Sequence, residues 1–145
     1  EVAWMEKRFR IHIKITMMRK KIVLTGVVLV LLSIVFGAFG AHKLKELIDV
    51  KDLQTFETGV KYQMYIGLSF LIIGFNGDKI KTHLNLTVIL IGIGILLFSG
   101  SIYFLSLKSI IGDWVKYLGP VTPIGGLFMI IGWILLFIQI LKDEK

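Results

Sequence analysis

His42 and Glu57 are the residues of this chain best suited by type to move a proton. An imidazole titrates near neutral pH, and a carboxylate in a low-dielectric layer can be tuned toward it. Both stand at the edges of apolar stretches, and Lys61, Tyr62, Gln63 and Tyr65 follow within two turns of Glu57. Tyr103, Ser106, Pro120 and Thr122 fall at the ends of later stretches. If the chain crosses a membrane four times, all of these share one leaflet. The chemistry on offer is a polar pocket in which His42 and Glu57 accept protons or bind a ligand. Tyr62, Gln63, Tyr103 and Thr122 would be its hydrogen-bonding wall. The structural alternative is simpler: Lys61 snorkels, the tyrosines sit at the interface and His42 caps a helix end.

Other chemistry has less to stand on. His12, His42 and His83 occur without an HxxxH or ExxH spacing, and Cys is absent. That excludes disulfides, thiolate catalysis, iron–sulfur clusters and Cys-ligated zinc. No phosphate-binding loop, nucleophile elbow or dinucleotide fingerprint occurs. The expectation is therefore no enzyme, no metal and no cofactor.

The elements that would position these residues are four apolar stretches, Ile22–Ala41, Val60–Phe75, Leu84–Leu107 and Gly119–Leu141. Three are as long as the roughly 20 residues needed to cross a bilayer core, and the second is shorter. A mean hydropathy of +0.80 agrees. The expected fold is an all-α membrane protein, a four-transmembrane-helix bundle with both termini on the same side. Its helices are predicted near 22–41, 53–75, 84–107 and 119–141, within a transmembrane domain over 22–141. Residues 142–145 form a polar tail.

The second stretch reaches spanning length if Asp52 N-caps a helix running through Phe56 into the membrane. Leu44, Leu47 and Ile48 have the spacing of a short surface helix. The 76–83 connection is short, which makes helices two and three antiparallel neighbours. Gly112 and Asp113 supply a turn in the next connection, and Pro120 and Pro123 read as a rigid helix start with Thr122 capping it.

The net charge is +7, yet Lys7, Arg8, Arg10, Lys14, Arg19, Lys20 and Lys21 all precede the first stretch. That placement signals topology and contact with anionic lipid, and no nucleic acid is expected. Eleven of the 17 Lys and Arg residues fall on the side of the termini. Both termini are thus expected in the cytoplasm. Residues 1–21 read as a basic N-terminal segment, either disordered or an over-extended start. The run Met17–Lys21 has the form of a natural start, and Ile11, Ile13 and Ile15 alternate with period two. The first stretch exceeds a signal-peptide core and reads as a retained helix.

Lipid tails offer no hydrophobic force to pull helices together, so close approach depends on small residues. Candidate seams are Ser33, Gly37 and Ala41 in the first helix and Gly59, Gln63 and Gly67 in the second. Gly92 and Gly100 mark the third, with Ser99 and Ser101 beside them; Gly125, Gly126 and Gly132 mark the fourth.

Together, Gly37–His42, Glu57–Gly59 with Tyr62–Gln63, Phe98–Tyr103, Val121–Gly126 and Gly132–Trp133 form a pattern in all four helices. It resembles the domain-of-unknown-function 423 family, which includes the eukaryotic transmembrane protein 256. The resemblance implies a multi-pass protein of the bacterial inner membrane with mitochondrial relatives and no assigned biochemistry. Family members often carry a histidine just after the Tyr-Gln pair, where this chain has Ile66. That departure weakens any mechanism built on paired histidines.

Two functions compete. One is a non-enzymatic bundle that self-associates or assembles with another membrane protein. The other is a small transporter or channel with a polar site near the non-cytoplasmic surface. Four-helix multidrug exporters carry a coupling carboxylate in their first helix, whereas Ile22–Ala41 contains no acid.

Overall fold

In a computed structural model the described residues are 2–76 and 84–143. They form α1 (Val2–His42), α2 (Val50–Phe75), α3 (Asn85–Ser106), the short α4 (Lys108–Ile111) and α5 (Val121–Asp143). Leu44–Glu46 and Asp113–Leu118 are 3₁₀ turns. Three segments are long and apolar enough to cross a membrane: Trp4–Glu46, Asn85–Ser106 and Asp113–Lys142. α2 is not among them: Lys51, Asp52 and Glu57 precede its apolar stretch from Val60 to Phe75, and Lys61 and Gln63 fall within it.

The basic segment differs from its expectation. α1 starts at Val2, so most of residues 1–21 continue the helix. No Gly or Pro occurs before Gly26, and Lys, Arg and Met are good helix formers. The alternating isoleucines are overridden. Arg8 lies over the Trp4 ring at 4.6 Å, and Arg10 pairs with Glu6 at 3.6 Å.

The start of α2 is a second correction. Asp49, not Asp52, is the N-cap, and its Oδ1 accepts from the Asp52 N–H at 2.8 Å. The surface helix expected around Leu44 is one 3₁₀ turn that buries Leu44 completely against Ile48 and Phe56. Gly112 adopts φ +99°, a value L side chains rarely take, and breaks the chain between α4 and the next turn. α5 starts at Val121, so Gly119 and Pro120 precede it and Pro123 sits in its first turn. The connection 77–83, with Lys79, Lys81 and His83, lies outside the described residues.

Each long helix packs on its neighbour in sequence: α1 on α2, α2 on α3 and α3 on α5. Neighbours run antiparallel, since Gly26 meets Gly67 while Gly40 meets Phe56, and Gly94 meets Gly125 while Gly132 meets Thr87. The core is a layer of Ile22, Leu29, Ile66, Phe70, Ile91 and Ile95, extended into α5 by Met129 and Leu136. A smaller cluster of Leu44, Ile48 and Phe56 closes one end, with Leu107 against it.

Glycines set the closest approaches. A Cβ on Gly67 would meet Val30 Cγ2 at 2.9 Å, and one on Gly94 would meet the Gly125 carbonyl at 2.8 Å. On Gly125 it would strike the Phe98 nitrogen, and on Gly132 it would lie 2.5 Å from Ile91 Cγ1. Gly100 needs correcting as a seam residue: nothing lies within 4 Å of its Cβ position. Gly37, Gly92 and Gly126 make only ordinary contacts, at 3.6 to 3.9 Å, and Ala41 is exposed. Gly26, Gly74 and Gly94 take the close positions that were not foreseen.

Candidate functional site

The polar residues that converge do so around Gln63. Its side chain is 5 % exposed, on the face of α2 that points between α1 and α3. Nε2 donates to the Leu29 carbonyl of α1 at 3.1 Å, and Oε1 accepts from the Tyr103 hydroxyl of α3 at 2.9 Å. A carbonyl can only accept, so Leu29 fixes which way the amide faces. The Ser33 hydroxyl donates to the same Leu29 carbonyl at 2.8 Å, and Ser99 donates to the Gly59 carbonyl at 2.8 Å. Three helices are thus tied by side-chain polar bonds in an apolar surround.

Small residues make this reach possible. A Cβ on Gly59 would lie 2.9 Å from both Ile102 and the Tyr103 ring, so α3 can come close only at a glycine. The Tyr103 ring is wedged between Phe36, 5.1 Å away, and Phe56, 5.0 Å away. These contacts leave the hydroxyl a narrow choice of direction.

The remaining candidates lie elsewhere. Thr122 meets Ser101 at 2.7 Å on the α3–α5 contact. Ser101 also reaches the Phe98 carbonyl at 3.0 Å, and either hydroxyl can donate in its bond to Thr122. Its hydroxyl therefore joins two helices and does not cap one. Tyr62 is exposed, its ring tilted against Phe98 at 4.9 Å and edge-on to Tyr65 at 6.1 Å. His42 and Glu57 are both exposed, and neither has a side-chain bond to the Gln63 group. Ile66 is buried in the apolar core. An amide and a phenol cannot exchange protons usefully near neutral pH; what they can do is satisfy one another.

An ion pair joins segments far apart in the chain. Lys108 Nζ lies 2.8 Å from Asp52 Oδ1, joining the start of α4 to the first turn of α2. Asp52 is 5 % exposed, and its Oδ2 is buried without a hydrogen-bond partner. The hydrogen bond to Asp52 holds the Lys108 ammonium above its ordinary pKa, against a smaller opposing effect of burial. Nothing in the sequence links residues 56 positions apart.

No solved structure is similar enough to match. A "UPF0382 membrane protein" of Staphylococcus epidermidis is 39 % identical over 123 residues, covering 85 % of this chain and 97 % of that protein. The UPF0382 membrane protein YwdK of Bacillus subtilis is 39 % identical over 125 residues, covering 85 % and 98 %. A Staphylococcus aureus relative reaches 42 % over 123 residues, covering 85 % and 97 %. Residues 36–126, which include Gln63, Tyr103 and Thr122, match the family described as protein of unknown function DUF423. The chain belongs to the DUF423 family of membrane proteins.

Proposed function

We propose that this protein is a non-enzymatic, four-span membrane bundle that assembles with itself or with another membrane protein. The observation that carries the reading is how Gln63 is used. Its amide is spent on Leu29 and Tyr103, so it holds helices and presents no polar surface to a substrate. Thr122 is likewise spent on Ser101.

α2 is the fourth span in this reading. At 1.5 Å per residue its 26 residues extend about 39 Å, enough for a core of about 30 Å. Both termini then face the cytoplasm of a bacterial inner membrane. Arg19, Lys20 and Lys21 lie just before the part of α1 that packs on Gly74, where anionic lipid would gather. Trp114 and Tyr117, both exposed near the opposite end, suit the interfacial layer.

The test is flux. Purified protein in liposomes, under an imposed pH gradient, should move no cation or organic-cation probe faster than empty liposomes. Gradient-driven flux that Glu57→Gln abolishes would replace this reading with a proton-coupled transporter.

A further inference from the structure

The outward side of α2 carries Gln54, Glu57, Lys61, Tyr65, Leu68 and Ile72, all exposed. Toward the Phe75 end, at Leu68 and Ile72, that side is apolar and suits lipid. Glu57 and Lys61 do not. They stand four residues, one turn, apart on the same face, and among the described residues neither has an ion-pair or hydrogen-bond partner. Val60 packs on Gly37, five residues before the end of α1, which sets Lys61 roughly 8 Å inside that end. A charge there that faces lipid must either snorkel to the interface or find a partner.

We infer that this face of α2 is a contact between two copies of the chain, with Glu57 of each copy paired to Lys61 of the other. The inference rests on the assembly reading above and commits it to a second copy. The face carries one acid and one base a turn apart, so it is complementary to itself. A two-fold axis along the membrane normal keeps both copies in the same orientation and forms the pair twice. The offset between Glu57 and Lys61 is about 6 Å along the helix, within reach of a lysine stem. Away from lipid, each charge gains its partner and the two tyrosine-bearing faces close over them. A helix pair within one copy would leave both charges facing the acyl chains.

Charge reversal in the cysteine-free background tests this. Tyr65→Cys supplies a cross-linking point on the face, and the protein is reconstituted in liposomes of phosphatidylethanolamine and phosphatidylglycerol. Subunit counting by single-molecule photobleaching gives the oligomeric state independently. The parent should count as two and cross-link through position 65. Glu57→Lys alone and Lys61→Glu alone should each lower the cross-linked fraction by about tenfold while melting unchanged, since both side chains are exposed. Co-reconstituting those two variants should restore a mixed cross-link, because one face is now basic and the other acidic. A dimer whose cross-linking ignores the charges would overturn the face assignment and leave homotypic assembly standing. A count of one would overturn the face and homotypic assembly together. Flux by a monomer would instead remove the assembly reading itself.

Discussion

The Tyr103 hydroxyl donates to Oε1 of Gln63 at 2.9 Å, while the same amide donates to the Leu29 carbonyl at 3.1 Å. One side chain of α2 therefore fastens both of its neighbours. Tyr103→Phe removes the donor and leaves a buried amide oxygen without a partner. It should lower thermal stability in detergent by about 1 kcal/mol, the usual scale for such a bond in or out of a membrane. A double-mutant cycle with Gln63→Leu should return a coupling of about 0.5–1.5 kcal/mol. Additive effects would mean that the two residues do not act together.

The α3–α5 contact is set by backbone meeting backbone at Gly94 and Gly125. Gly125→Ala should destabilise the protein by about 1–3 kcal/mol, since neither backbone can yield cheaply. Gly100→Ala meets open space and should leave stability unchanged or raise it by up to about 1 kcal/mol through helix propensity. Equal melting temperatures for the two variants would contradict the assignment.

That contrast shows what the sequence reveals and what it hides. The helices of α3 and α5 are visible as unbroken apolar runs, and Gln63 between two glycines marks the buried side of α2. The seam of α1 is harder to see. Ser33, Gly37 and Ala41 are an obvious small-residue stripe, but the small residues that are buried are Gly26, Ser33 and Gly40. A step of four residues turns about 40° too far on each repeat, so such a stripe leaves the contact within two turns. A step of seven drifts only about 20°, which suits antiparallel helices crossing at a small angle. Gly125 and Gly132 show the same interval.

The Asp52–Lys108 pair is hidden for a different reason. Asp52 has the sequence position of a plausible cap, and only the return of the chain after α3 brings Lys108 to it. Its titration has a definite sign. The raised pKa of Lys108 means that the folded state holds this proton more tightly. The stabilisation is fully present below the ordinary lysine range and is lost as pH rises through the higher folded value. The contribution of Lys108 to the melting temperature should therefore be constant between pH 7 and 9, and above about pH 10.5 the melting temperature should fall more steeply than in Lys108→Met. A Lys108→Met variant with an unchanged alkaline profile would show that the pair contributes nothing.

The basic end of α1 carries a lipid prediction. Reversing Arg19, Lys20 and Lys21 to Glu should weaken retention of phosphatidylglycerol on purification, with the ratio to phosphatidylethanolamine read by mass spectrometry. An unchanged ratio would detach these residues from lipid selection.

Whether α2 crosses the membrane decides the account, because its apolar run alone does not require it. Single cysteines placed by Lys51→Cys and Lys79→Cys flank α2 in a chain that has no cysteine of its own. In intact cells, a membrane-impermeant maleimide should label the Lys51→Cys protein and spare the Lys79→Cys protein, which should react only after permeabilisation. Labelling of both from the same side would contradict the four-span account.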